Sequence, residues 1–224
     1  MANANGGYTG LLLAVDLSKG KVKDFPLPEY SGEYIGGSGL ACRMLYDLLD
    51  FSVDPLSPES PLLVMTGPLT GTKAPTSGRF VVCGRSPLTN IWGESNSGGF
   101  FGPEIKFAGY DGIIIRGAAA DATTLVLDDG AATLRSAVHL WGEGSVETMR
   151  ALRADLGKEY RIACIGQAGE NLVKYAAVMN DEQRAAGRCG FGAAMGAKKL
   201  KALAVRGSKK APLAHAEVFD NAAK

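Results

Sequence analysis

The sequence predicts an α+β protein built as a duplicated unit, and three observations predict it. Apolar runs of strand length alternate with two stretches of helical periodicity along the 224 residues. The order hairpin, helix, strand, glycine turn, strand occurs twice. Landmarks of the two passes recur at offsets near 100 to 112 residues: Asp16…Gly20 with Asp128…Gly130, Thr66-Gly-Pro-Leu with Ile165-Gly-Gln-Ala, and Thr76-Ser-Gly-Arg79 with Ala185-Ala-Gly-Arg188. Two such units bring matching Gly-Arg corners to a shared central surface, which suits a pseudo-symmetric ligand.

In the first pass, Leu11-Leu-Leu-Ala-Val-Asp-Leu and Lys21-Val-Lys-Asp-Phe read as a hairpin with Gly20 in the turn. Leu40, Met44, Leu45 and Leu48 share one helical face, so residues 40–49 are expected to be helical, with Ser38 as N-cap. The prolines of Asp54-Pro-Leu-Ser-Pro-Glu-Ser-Pro break the chain. Strands then follow at Leu62-Leu-Val-Met and Arg79-Phe-Val-Val-Cys-Gly. The second pass opens on a hairpin, Leu125-Val-Leu-Asp-Asp-Gly-Ala-Ala-Thr-Leu, and a helix over 146–156 capped by Ser145. Strands are expected at 161–165 and 173–179, a helix at 195–201, and a last strand at Leu203-Ala-Val.

Composition excludes several classes. Twenty-four basic and 23 acidic residues leave a net charge of +1 with no block of one sign, so neither nucleic acid nor an anionic membrane surface is expected as partner. No apolar run reaches the roughly 18 residues of a membrane span. The start, Met1-Ala-Asn-Ala-Asn-Gly-Gly, lacks the pattern of an export signal, so a cytoplasmic location is expected. Cys42, Cys83, Cys164 and Cys189 are too far apart for C-x-x-C chemistry, and only His139 and His215 are available, so no metal site of Cys and His is expected.

Glycine is the anomaly: 30 of 224 residues, against a usual share of roughly 7%. The glycines cluster where main chain must turn or approach something closely. Three segments set bare backbone beside arginine or small hydroxyls: residues 66–79, 94–112 and 179–196. Backbone N–H groups and a guanidinium fork match phosphate geometry. Neither a P-loop nor a dinucleotide fingerprint is present, because Gly67…Gly71 lacks the following Lys-Ser/Thr and Gly187-Arg-Cys-Gly-Phe-Gly has the wrong spacing.

Nine motifs in order carry a resemblance. They are Ala74-Pro-Thr-Ser-Gly-Arg79-Phe, Ser86-Pro-Leu-Thr, Asn96-Ser-Gly-Gly-Phe-Phe-Gly-Pro-Glu, Lys106-Phe-Ala-Gly-Tyr-Asp-Gly-Ile, Leu140-Trp-Gly, Gly169-Glu-Asn-Leu-Val, Met179-Asn-Asp, Arg184-Ala-Ala-Gly-Arg188, and Gly192 through Lys201-Ala. From about residue 8 to residue 212 the chain resembles the N-terminal domain of the tungsten-dependent aldehyde ferredoxin oxidoreductase family. The resemblance implies two mixed six-stranded β-sheets with flanking helices, forming a saddle under a tungsten bis-pyranopterin. It places pterin contacts on Arg79, Asn96, Gly98, Arg184, Ala185, Gly187 and Arg188, and gives backbone carbonyls of Asn96 and Ala185 to a magnesium ion that bridges the pterin phosphates. Cys189 stands where glycine is common in the family, beside Arg188, where it is expected to narrow the cleft.

The resemblance also implies what lies outside these residues. Residues 1–210 would form the tungstopterin-binding domain, in halves of about 8–110 and 111–210, and 211–224 would be a linker or the start of a further domain. The cysteine ligands of a 4Fe–4S cluster and the acid–base residues belong to downstream domains, so this chain alone is expected to be inert. The implied reaction is oxidation of aldehydes to carboxylic acids with ferredoxin as electron acceptor, in an enzyme that forms homo-oligomers. Two alternatives remain at this stage: the tungsten-binding domain of a benzoyl-CoA-reductase-type complex, and a non-catalytic binding or assembly module.

Overall fold

Alternating side chains in Leu11–Asp16 (β1) and Lys21–Pro26 (β2) pair antiparallel as expected in the computed structural model, which describes residues 6–224. The first five residues, on which the export-signal reading partly rests, lie outside the described residues. After a short helix α1 (Ser31–Tyr34) come α2 (Gly37–Leu48), β3 (Leu62–Thr66), β4 (Phe80–Arg85), β5 (Trp92–Ser97), α3 (Phe101–Phe107) and β6 (Gly112–Arg116). The second half repeats this plan: β7 (Thr123–Asp128), β8 (Ala131–Ser136), α4 (Ser145–Leu156), β9 (Arg161–Cys164), α5 (Gln167–Glu170), β10 (Val178–Asn180), β11 (Arg184–Ala186), α6 (Phe191–Ala197) and β12 (Leu200–Arg206). Helix α7 (Ala216–Ala222) closes the chain.

Two mixed six-stranded sheets result, β2-β1-β6-β3-β4-β5 and β8-β7-β12-β9-β10-β11. They share one strand order and one parallel pair each, β1·β6 and β7·β12. The register makes equivalences explicit. Asp16 faces Arg116 as Asp128 faces Arg206, and Leu62 pairs with Ile115 as Arg161 pairs with Val205. Two of the three sequence landmarks therefore align. The third does not: Arg79 precedes β4, whereas Arg188 follows β11, the counterpart of β5. The position equivalent to Arg188 is the Gly98-Gly99 turn, and a shared Gly-Arg dipeptide concealed the difference.

Helices α3 and α6 lie between the sheets. Phe101, Ile105, Phe191 and Met195 join a core with inward residues of both halves, among them Val64, Phe80, Ile113, Ile165 and Leu203. Each buried aromatic of this set contributes about 1.5–3 kcal/mol. The amphipathic helix α2 covers the outer face of the first sheet and α4 that of the second. Three lysines are buried at the joints. Lys106 meets Asp111 and the Gly7 carbonyl, and Lys201 pairs with Glu170 while donating to Glu143 O at 2.9 Å. Lys198 donates to carbonyls: Pro58 at 3.1 Å, and Ser57 and Gly117 at 3.4 Å. Burial lowers its pKa to about 8.

Several boundaries shift for identifiable reasons. The cap positions of α2 and α4 are Gly36 and Gly144, so Ser38 and Ser145 sit inside the first turns and cap nothing. Helix α6 begins four residues before the expected one because Gly190, at φ 74, starts it, and Lys199, at φ 55, releases the chain into β12. Of the strand expected over 173–179 only Val178 and Met179 are in strand, as the start of Val178–Asn180.

Candidate cofactor-binding site

The two sheets meet where edge strand β5 of one lies beside edge strand β11 of the other. Polar residues stitch this seam. Ser97 Oγ donates to Asn180 Oδ1 at 2.6 Å, and Asn180 Nδ2 donates to Gly98 O at 2.9 Å. Phe100 N donates to Asp181 Oδ2 at 2.8 Å, and Arg188 N donates to Ser95 Oγ at 3.0 Å. Asn180 is fully buried. Strand β5 turns Gly93, Ser95 and Ser97 inward, and these small residues let the neighbouring half approach.

The seam collects the candidate residues. Arg79 Nη1 donates to Asn96 Oδ1, and both side chains are exposed. Gly98 is one turn further on, and the Arg184 guanidinium crosses from the other half to lie against it. Ala185, Gly187 and Arg188 follow along β11 and its exit, all exposed. Register pairs Asn96 with Val81 and Ala185 with Met179, each one residue before its strand's end, so the two stand at equivalent positions of the repeat. Arg79, Arg184 and Arg188 form no ion pair among the described residues, leaving three guanidinium groups for an anion.

A hollow of about 670 Å³ opens beside Arg79 and Asn96, bounded by the Gly36-Gly37-Ser38 start of α2, the Gly67–Thr70 turn and the Pro75–Ser77 loop. The Arg184–Arg188 segment does not line it and instead borders the seam next to it. Two β-branched residues on its wall, Ile35 and Thr76, take φ 63 and 57, which costs energy for such side chains. The Tyr8 hydroxyl donates to Ile35 O and holds that wall. Asp181, Glu182 and Cys189 also have positive φ, at 47, 63 and 67, around the second half's corner. Strained backbone thus gathers at this surface.

The glycines separate into two kinds. Gly78, Gly102 and Gly192 are packed by the fold, since a Cβ at Gly192 would stand 2.5 Å from Ala177 O. At Gly67 and Gly187 a Cβ would meet nothing closer than 3.9 Å, and at Gly98 only the flexible end of Arg184 at 3.3 Å, with ordinary φ at all three. Packing does not require glycine there, so main chain without a Cβ is left open at these three positions. Cys189 turns its thiol onto Glu94 O at 3.3 Å, against Gly93, and not into the hollow.

Sequence reasoning singled out the Asn96–Glu104 and Met179-Asn-Asp motifs without assigning Ser97, Asn180 or Asp181 a role. Their signal was small polar residues at positions where a strand of ordinary hydrophobicity would carry apolar ones. The hollow's far wall, Ile35–Ser38, had no signal beyond its glycines. No group of three or more His, Cys, Asp or Glu able to hold a metal occurs among the described residues.

Comparison with known proteins adds independent findings. Residues 12–207 match the family model described as aldehyde ferredoxin oxidoreductase, N-terminal domain. The chain is 48% identical to the tungsten-containing aldehyde ferredoxin oxidoreductase of Pyrococcus furiosus, over 95% of this chain and 36% of that protein. It is 38% identical to the WOR-like subunit of an aliphatic sulfonate oxidoreductase from the same organism, again over 95% of this chain and 36% of that subunit. A solved structure, the active site complex BamBC of benzoyl coenzyme A reductase with 1,5-dienoyl-CoA, superimposes with a TM-score of 0.94 at 38% identity, covering 96% of this chain and 33% of that one. The chain spans about a third of the length of the curated relatives it matches.

Proposed function

The chain belongs to the aldehyde ferredoxin oxidoreductase family as its N-terminal domain, and from that premise we propose that it cradles a tungsten bis-pyranopterin for the oxidation of aldehydes to carboxylic acids. When bound, that group supplies a two-electron centre whose metal is held by the cofactor's own sulfur atoms. The chain's part is binding and orientation. Arg79 from one half, and Arg184 and Arg188 from the other, offset the phosphate charges, while Asn96 contacts the pterin beside Arg79. Gly98 and Gly187 let the flat heterocycles rest on main chain. The Asn96 and Ala185 carbonyls are suited to a magnesium ion between the phosphates, because that ion takes oxygen ligands.

The observation that carries this reading is the pairing of surplus arginines with glycines that packing does not require, on both sides of one seam. Residues 1–210, of which the structure describes 6–210, are the binding domain on this reading, and 211–224 are a linker or the start of a further domain. The 4Fe–4S ligands, the acid–base groups and the contact to ferredoxin come from other segments, and the assembled enzyme is a homo-oligomer. The four free thiols suit a reducing cytoplasm, and no helix among the described residues is long and apolar enough to cross a membrane. The BamBC likeness supports a second reading, the same cradle in a benzoyl-CoA-reductase-type complex; the 46–48% identities to the aldehyde enzymes favour the first.

The test is cofactor content in the full-length enzyme from a tungstate-fed anaerobic host. Arg79→Ala and Arg188→Ala are expected to lower tungsten and oxidised-pterin fluorescence together by about tenfold or more, the effect of losing one charge-assisted contact. Unchanged content in both variants places the site elsewhere.

A further inference from the structure

Equivalent places in the two halves of the repeat are filled differently. On the outer face of the second sheet, the corner where β7, β8 and β12 meet is closed. Tyr160, almost fully buried, packs with Val126 and Ala204. Arg206 lies over its ring at 6.0 Å and donates through Nε to Asp128 at 2.6 Å.

The same corner of the first sheet is open. Register equates Val126 with Ala14, Ala204 with Ile114, Arg206 with Arg116 and Tyr160 with Pro61. Proline stands in place of the tyrosine, and this face carries a cleft of about 410 Å³ with an apolar floor of Ala14, Phe25, Leu48 and Ile114. Its rim is cationic: Lys19, Lys21, Lys23 and Arg116. The positions matching Lys21 and Lys23 in the second half are Ala131 and Thr133, so the lysines are particular to the open corner.

These cations are largely unspent. Asp16, the one carboxylate on the rim, is taken by Lys19 at 3.1 Å. Among the described residues Arg116, unlike Arg206, has no carboxylate partner: one nitrogen donates to Leu48 O at 2.6 Å, and its buried Nε has no hydrogen-bond partner. Lys21 and Lys23 form no ion pair among the described residues. Lysines on an edge strand also discourage strand pairing between molecules, but that role requires neither an apolar floor nor a concavity. A hollow of this size with a few converging charges has the character of a small-molecule site.

We propose that this cleft is a second ligand site, distinct from the seam, for a small amphipathic anion whose carboxylate or phosphate head meets Lys21, Lys23 and Arg116 and whose apolar body lies on Ala14, Phe25 and Ile114. It sits at the opposite end of α2 from the hollow beside Arg79. Four strand spacings, about 19 Å, separate β1 from β5. The reading is independent of the cofactor assignment.

Octanoate, octyl phosphate and octanol are the probes, titrated into the isotope-labelled 224-residue chain and followed by amide shifts and calorimetry. Saturable binding of one or both anions is expected, with shifts at Ala14, Phe25 and Ile114, and octanol weaker by about tenfold or more. Which anion binds more tightly identifies the head group. The Lys21→Glu/Lys23→Glu double variant is expected to weaken anion binding by about tenfold or more while Lys158→Glu, on a distant surface, does not. Ala14→Leu, which fills the floor, is expected to weaken it with no change in the variant's melting midpoint. Equal binding of octanol and octanoate, insensitivity to both sets of substitutions, or shifts confined to other residues would overturn the proposal. So would failure of both anions to saturate while an acidic peptide shifts the same residues, which would make the corner a protein-docking surface.

Discussion

Replacing Asn180 with alanine tests whether the seam is a single cooperative joint. The side chain makes three hydrogen bonds: it accepts from Ser97 Oγ at 2.6 Å, and it donates to Gly98 O at 2.9 Å and to Asp181 Oδ2 at 3.1 Å. Asp181 keeps the Phe100 amide, but Ser97 Oγ and Gly98 O lose these partners at a joint where Asn180 and Ser97 are buried. Each orphaned group costs about 1–3 kcal/mol, so the expected loss is about 3 kcal/mol. For a chain of this length that lowers the melting temperature by roughly 6–12 °C. Urea denaturation at unchanged m-value measures the loss, and hydrogen exchange at the Phe100 amide shows whether it opens the seam locally. Asn180→Asp is expected to cost at least as much, because it replaces two donors by an oxygen facing Asp181. A double-mutant cycle with Ser97→Ala is expected to show coupling of at least about 0.5 kcal/mol. A loss below about 1 kcal/mol for Asn180→Ala would refute the claim that this residue holds the halves together.

Gly187→Ala is expected to change stability by less than about 0.5 kcal/mol yet reduce pterin content in the full-length enzyme, whereas Gly192→Ala, against the Ala177 carbonyl, is expected to yield little folded protein; equal stabilities contradict the division of the glycines. Asp111→Asn removes the anion beside buried Lys106 and weakens the acceptor of the Thr9 and Gly10 amides, so a loss of about 3–5 kcal/mol is expected by chemical denaturation. Lys198, lowered to about 8 by burial against 10.5 in the unfolded chain, loses its proton first in the folded state. Between those pH values the unfolded chain binds more protons, so stability relative to Lys198→Met is expected to rise with pH, by up to about 1.4 kcal/mol per unit; a pH-independent difference contradicts it.

Much of the fold was legible because it rests on local patterns. The hairpins at Gly20 and at Asp129-Gly130, the apolar stripes of α2 and α4, and strands β3, β4 and β9 all carry the periodicity of their element. Strand β5 and helix α3 were hidden. Gly93, Ser95 and Ser97 are buried but small, so the alternation is one of size and not of hydrophobicity, and Phe101-Gly-Pro-Glu resembles a turn. The candidate residues were recognised through motif resemblance; their convergence depends on β5 meeting β11, a contact between residues more than 80 apart that no local pattern encodes. The cleft over Ala14 and Ile114 was invisible for the same reason, since it shows only against its structural counterpart.

Duplication gives a physical reason for the proposed placement of the ligand at the seam and not at either sheet's centre. In a sheet interior every backbone group is spent on its neighbour strands, whereas β5 and β11 are edges with unpaired groups on one side. Setting two such edges side by side protects them from other chains and leaves a line of main chain at the surface, with equivalent residues Asn96 and Ala185 on either side. The halves then diverge in what they add. The first supplies a hollow walled by strained Ile35 and Thr76, while the second supplies Arg184 and Arg188 on a bare segment outside that hollow. The proposed ligand, with two similar ends bound at unequal sites, would account for both the retained symmetry and its breakdown. On that account the losses from Arg79→Ala and Arg188→Ala should be unequal, and content lost to the same extent in both would instead indicate a symmetric cradle.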